Sequence, residues 1–426
     1  MSAAVRASRQ SREGAAGLHF LIGTAAVVAL LVSCSSPCEE THKVGSTGFQ
    51  PVSSAAFQPV TLERLTGAAR AAGFRVLGAN VDIPEAVRSH LPFVSIPYED
   101  PRLAALREKY HLEAAVAGAR DEWSAQLFLK DWVHRAIPDG TPKVSARHAA
   151  EILEAAARGE TFWCTYYAIT YVECALALGW PCRNIAVDRR HGPEGLQSTH
   201  HGVAEIWSNQ FRKWVVIDPQ SNLHFEREGI PLSAWEIRAE YLRNRGKDVL
   251  RVVGTAPKAI LRNPAIRWWN RPSEDETACY FWLYVIDHAD MSAPGARFLF
   301  PQDDANRELI WYQNDDALGG GRLHEGYLRN LFVPTPRIED IYWTVGVVEA
   351  TILGSAPGEI LLAIRSEGPG RAGHEVSFDG KTWAPLHGDH LRWGLKEGWN
   401  SLRVRSAGPR RVTGPELSVL LLLDPD

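Results

Sequence analysis

The chain has 426 residues, of which 45% are hydrophobic and 23% charged. These are ordinary globular proportions, and they exclude wholesale disorder and a collagen-like repeat. Lys and Arg number 46 against 50 Asp and Glu, a formal charge of −4, so the charge balance gives no case for a nucleic-acid partner.

Arg6, Arg9 and Arg12 precede a mostly apolar run from Leu18 to Val32. A basic segment followed by about 15 apolar residues is short for a spanning helix and has the form of an export signal. Residues 1–33 are therefore expected to be a signal peptide. The run ends Leu31-Val32-Ser33-Cys34, which resembles the lipobox of bacterial lipoproteins. That resemblance implies lipid attachment at Cys34 and a body held at the cell envelope, facing the periplasm, by acyl chains rather than a helix. Ser35 in place of an Asp favours the outer membrane. Residues 34–58 (Ser, Thr, Gly and Pro, with Cys38 among them) read as a flexible tether.

The span 59–254 is expected to form a catalytic domain with its core at 120–240. Leu62, Leu65, Ala68 and Ala69 recur at helical spacing. Leu127, Phe128 and Trp132 give a second helix its apolar face, and Ala149, Ile152 and Leu153 behind Ser145 give a third. Tyr167, Tyr171, Cys174, Ala175 and Leu178 form one stripe of a further helix, which Gly179 and Pro181 end. Cys174 and Cys182 flank that turn. They could bridge, but sparse cysteine usage favours two buried thiols. Strand-like runs follow at 184–187, 201–207 and 214–217, and a helix ahead of successive strands predicts an α+β core.

Beyond 255 the periodicity changes. The span 255–336 reads as a β-rich connecting region, with strands at 280–286 and 309–312 and a mobile loop at Gly319-Gly320-Gly321. Further strands are expected at 342–348, 360–364, 375–378, 402–404 and 419–423. Asp379-Gly380 supplies a hairpin signal between two of them. Together 337–426 predict an antiparallel β-sandwich of immunoglobulin-like size.

The candidate chemistry lies in the middle of the chain. Cys164 stands at the expected start of a helix, where unsatisfied N–H groups and the positive end of the helix dipole favour thiolate over thiol. His201 follows 37 residues later at the start of a strand, and Asp218 lies 17 further on at the end of the next. A nucleophile on a helix, with base and orienting acid on adjacent strands, suits a Cys-His-Asp triad.

At these residues the sequence resembles the transglutaminase-like superfamily, which has a papain-like fold. The matching segments are Trp163-Cys164-Thr165-Tyr166-Tyr167-Ala168 and Leu178-Gly179-Trp180-Pro181-Cys182-Arg183. They continue with His201-Gly202-Val203-Ala204-Glu205 and Trp214-Val215-Val216-Ile217-Asp218-Pro219. The resemblance covers roughly 120–240. It implies that Cys164 is the nucleophile, that His201 is general base and then acid, and that Asp218 orients the imidazole. The Cys164 backbone N–H would be one oxyanion donor, with the second unidentified. The sequence departs from the family pattern at Trp163 and at Val203.

His200 competes with His201, since adjacent strand residues face opposite ways; the family spacing to Glu205 selects His201. Glu205 and Arg183 read as structural, with Arg183 paired to a core carboxylate. His191, His200, His201 and His224 show no paired zinc spacing, so no metal and no cofactor is expected. Trp163, Tyr166 and Tyr167 suit either a cleft wall or core packing. The expected function is thiol-dependent acyl transfer on amide bonds of proteins or peptides, by hydrolysis or by transglutamination. The alternative is a catalytically inactive transglutaminase-like binding module at the envelope.

Overall fold

A computed structural model of the protein describes residues 60–83, 85–189, 201–255, 277–302, 332–366, 373–409 and 412–425. The signal segment, Cys34, Cys38 and the tether lie outside the described residues, as do His191, His200, the run at 309–312 and Gly319-Gly320-Gly321. The described chain divides into two units, one of residues 60–87 with 344–425 and the other of residues 88–343.

The first unit begins where Thr61 caps helix α1 (Leu62–Ala71), its hydroxyl accepting the Arg64 N–H. Strand β1 (Phe74–Asp82) then pairs antiparallel with β17 (Leu417–Pro425). Strands β16 (Gly398–Ala407), β13 (Gly373–Ser377) and β14 (Ala384–Leu386) complete a five-stranded sheet in the order β1-β17-β16-β13-β14. A second antiparallel sheet holds β11 (Val348–Ala356), β12 (Glu359–Ser366) and β15 (His390–Gly394). Alternate residues of β17, namely Leu417, Val419, Leu421 and Leu423, turn inward, as a half-buried strand requires. They share one core with Ile360, Leu362 and Ile364 of the second sheet and with Leu65, Ala68 and Ala69 of α1.

The span 60–82 thus folds with the C-terminal strands and not with residues 120–240, with which the sequence pattern grouped it. Its periodicity marks a helix, but periodicity does not say which core a helix joins. The strand expected at 342–348 begins only at Val348. Gly346 ahead of it takes φ +73, and a Cβ there would lie 2.4 Å from Ser406 Oγ, so the chain turns at that point.

The second unit holds six strands in the order β10-β9-β8-β2-β3-β4. These are β2 (Cys182–Asp188), β3 (His201–Ser208), β4 (Lys213–Ile217), β8 (Trp282–Ile286), β9 (Phe298–Pro301) and β10 (Phe332–Thr335). All pairs are antiparallel except β9 with β10. The described strands of the 255–336 span therefore extend the same sheet as β2. A smaller sheet contains β5 (Leu223–Arg227), β6 (Ile230–Pro231) and β7 (Leu250–Val253).

One face of the large sheet packs Val187, Val203, Val216, Leu283 and Val285 against Ile237 of helix α7 (Ala234–Asn244). Helix α6 (Cys164–Ala177) packs on β2 and β3, with α2 (Pro101–Lys109), α4 (Glu122–Ala136) and α5 (Ala149–Ala157) around it. The four-residue α3 (Leu112–Ala115) connects α2 to α4. Every residue of α6 from Thr165 to Ala177 is buried, which fixes the helix and leaves its first residue, Cys164, partly open.

Candidate active site

Trp163 precedes α6 and its side chain makes no capping hydrogen bond to the first turn around Cys164. Antiparallel pairing of β3 with β2 and β4 brings His201, first residue of β3, and Asp218, the residue after β4, to the same end of the sheet. His201 Nε2 lies 2.9 Å from Asp218 Oδ2. The ring's other nitrogen, Nδ1, is then the one left for the Cys164 thiol, with which His201 shares a hydrogen bond. The three predicted residues are thus brought together, with His201 and Asp218 each 4% exposed.

Their electrostatics follow from that contact. Burial works to raise the Cys164 thiol. The His201 hydrogen bond and charge outweigh it, helped by the Gly202 backbone N–H, and hold the thiol below its ordinary range. Burial also works against the His201 imidazolium, but the Asp218 carboxylate and the facing sulfur overcome it and raise the ring to about 10. Burial alone would raise Asp218; the His201 charge and hydrogen bonds from Ser221 lower it instead. Cys174 and Cys182 are free thiols too, and burial pushes both well above the usual cysteine value, in Cys182 against the opposing Arg183 backbone N–H and charge. Of these three thiols, Cys164 alone is held below its ordinary value.

The loop after Asp218 is tied to α4. Ser221 N donates to Asp218 Oδ1 at 3.0 Å, Asn222 Nδ2 donates to Asp131 at 2.8 Å, and His134 Nδ1 lies 2.9 Å from the Gln220 carbonyl. Asn222 takes φ 53, a left-handed turn position that Asn tolerates. These contacts hold the carboxylate in place for the imidazole.

No protein family matches the chain, and neither does any curated protein. Solved structures similar to it include a provisionally assigned cysteine protease from Cytophaga hutchinsonii. That alignment has 11% identity, 35% of this chain, 66% of the other and a TM-score of 0.23. Red sea bream transglutaminase aligns at 11% identity over 76% of this chain and 58% of its own, with a TM-score of 0.22. The chain spans less than two thirds of either structure. At such scores neither likeness carries an argument, and the chemistry rests on the residues themselves.

Neighbouring residues divide clearly into structural and site groups. Glu205 accepts from Arg183 Nε at 3.1 Å and Nη2 at 2.6 Å, and its other oxygen accepts from Ala234 N and the Tyr342 hydroxyl. Arg183 also lies over the Trp214 ring, 4.1 Å from its centroid, so this pair is a core fixture. Tyr166 and Tyr167 are buried, with the Tyr167 hydroxyl donating to the Ile137 carbonyl, whereas Trp163 is half-buried. Among the described residues, no three His, Cys, Asp or Glu side chains are grouped to hold a metal ion.

Two features escaped the sequence reading. Gly202 backs directly onto Thr165, a closeness that the Gly after the predicted His could have signalled. Lys130 of α4 is fully buried, its ammonium 2.8 Å from the Gly254 carbonyl and 3.3 Å from His224 Nδ1, with Glu226 on the far side of that ring. Nothing in the sequence separates Lys130 from a solvated helix lysine.

Proposed function

We propose that the protein is a thiol-dependent acyl-transfer enzyme, transglutaminase-like in its triad, acting on amide bonds of proteins or peptides at the cell envelope. The observation that carries this reading is the coupling of Cys164 at the head of α6 to His201, and of His201 to Asp218 at 2.9 Å. Thiolate from Cys164 attacks the amide carbonyl, forming the C–S bond while the C=O electron pair moves to oxygen. Collapse breaks the C–N bond, and the imidazolium of His201 gives its proton to the departing amine. The thioester then passes its acyl group to water or to a second amine, with His201 taking the proton of the acceptor. Water makes the enzyme a peptidase or amidase; an amine makes it a cross-linking transglutaminase. The Leu31-Val32-Ser33-Cys34 segment supports lipid attachment, and Ser35 after it supports an outer-membrane position.

The test is the alkylation rate of Cys164 against pH, read by peptide mass spectrometry on protein lacking residues 1–34. The expected result is reaction well below the pH of a free thiol, near ~8.5, in wild type and not in His201→Ala. A Cys164 that titrates as a free thiol in both proteins overturns the reading and leaves a ligand-binding module. Incubation with amide donors, with and without an added primary amine, then separates hydrolysis from transamidation.

A further inference from the structure

Tyr284 of β8 stands directly opposite Ala186 of β2, and Ala186 stands opposite Gly202 of β3. The three therefore form one row across the sheet, on the face that meets the first turn of α6. Two of the three carry almost no side chain, so the row is a trough into which the tyrosine ring can extend toward Gly202. The trough spans about 10 Å at two strand spacings, most of which a tyrosine side chain crosses. Gly202 lies against Thr165, the residue after Cys164, with a built Cβ 3.1 Å from its Cα and Oγ1. Tyr284, Thr165, Ala186 and Gly202 line one small cavity together with Asn184, Phe298 and apolar neighbours that include Ile286 and Met291. Phe298 meets the Tyr284 ring edge-on, with centroids 5.2 Å apart, and holds it in the trough.

We propose that Tyr284 is a further catalytic residue, whose hydroxyl donates a hydrogen bond to the oxyanion formed when Cys164 attacks a carbonyl, beside the Cys164 backbone N–H. The inference rests on the acyl-transfer reading and supplies the second donor that this reading needs. No proton leaves the phenol: as the C–S bond forms, the carbonyl electron pair settles on oxygen between the two donors, and it returns when the C–N bond breaks. The chemistry of the site keeps that donor intact. Burial, with the charges of Asp188 and Cys164 nearby, holds the phenol protonated far above its ordinary range.

Two reactions of the same thiol test this. Alkylation by iodoacetamide passes through no oxyanion, whereas acylation by p-nitrophenyl acetate does. Both rates are measured on wild type, Tyr284→Phe and His201→Ala. Tyr284→Phe is expected to slow acylation on the order of 100-fold while alkylation stays at the wild-type rate. An unchanged acylation rate overturns the proposal, and so does an equal fall in both reactions, which would make Tyr284 a support for the thiol. If His201→Ala leaves both rates at wild-type values, the acyl-transfer reading fails and takes this proposal with it. Should Tyr284→Phe not fold, Ala186→Val answers the same question. Its two added methyls crowd the trough and lift the ring away from Gly202, and the same selective loss of acylation is expected. Equal rates in that variant overturn the proposal.

Discussion

Gly202 passes so close to Thr165 that a Cβ on it would lie 3.1 Å from the Thr165 Cα and 3.3 Å from its backbone N. The obstacle is helix backbone, which cannot swing aside as a side chain can. The same glycine gives its own N–H to the Cys164 sulfur, so the contact that lets β3 approach α6 also serves the thiolate. Gly202→Ala should therefore cost about 1–2 kcal/mol of stability by overpacking and slow alkylation of Cys164 as well. Urea titration and alkylation of the same variant check both outcomes. Full stability with full reactivity would show that α6 gives way without consequence.

The His201–Asp218 pair should leave its mark on stability as a function of pH. Folding raises the His201 pKa to about 10, so its contribution is complete below the unfolded imidazole value of ~6.5 and is lost as pH climbs through about 10. Folding lowers Asp218, whose contribution is complete above the unfolded carboxyl value of ~3.9 and is lost as pH falls through its lowered value. Asp218→Asn should thus be most destabilising between about pH 4 and 6.5, by roughly 3 kcal/mol, with a deficit that shrinks on the alkaline side. Thermal melts at pH 5, 7 and 9 on both proteins measure this. The onset of Cys164 alkylation should also move to higher pH in the variant, because a weaker imidazolium stabilises the thiolate less.

The site was largely legible because its residues announce themselves locally. Cys164 falls at a helix start, and His201 and Asp218 fall at strand ends, so chain order alone puts them within reach of one another once antiparallel pairing is assumed. Arg183 and Glu205 were legible for a similar reason, since they sit in register across β2 and β3. The destination of α1 and β1 was not. The partner of β1 in β17 lies more than 300 residues further along, and an amphipathic helix such as α1 reads the same whichever core it covers. Lys130 was hidden because burial of a lysine is decided by what surrounds it in three dimensions. Tyr284 was hidden because its row depends on the register of three strands.

Arg183 and Glu205 should matter to the fold and not to the chemistry. The pair is buried, with the guanidinium between the Trp214 and Tyr342 rings and the carboxylate also holding the N-terminus of α7. Arg183→Met leaves a buried carboxylate without its cation and should cost about 3–5 kcal/mol. Cys164 in the folded variant should alkylate at the wild-type rate, measured below its melting temperature. Arg183→Met with Glu205→Leu should recover part of the loss, because the double variant buries no charge. A slowed alkylation in either variant would mean that the pair reaches the triad through β3.

Lys130 gives the opposite pH signature to His201. Burial is the main influence on its ammonium and lowers the pKa to about 7, against the pull of the Asp218, Asp131 and Glu226 carboxylates. Folding thus disfavours the charged form, and the penalty is complete below about 7 and vanishes above the unfolded lysine value of ~10.4. Wild type should gain stability relative to Lys130→Met as pH rises from 7 to 10. Near pH 10 the neutral amine still donates to the Gly254 carbonyl at no cost in charge, whereas methionine leaves that carbonyl unsatisfied, a loss of about 1–3 kcal/mol. Below pH 7 the wild-type advantage should narrow or reverse. Chemical denaturation of both proteins at pH 6, 8 and 10 decides the matter. A stability difference that stays constant over this range would mean that Lys130 keeps its proton throughout, held by the carboxylates of Asp218 and Glu226 against the burial.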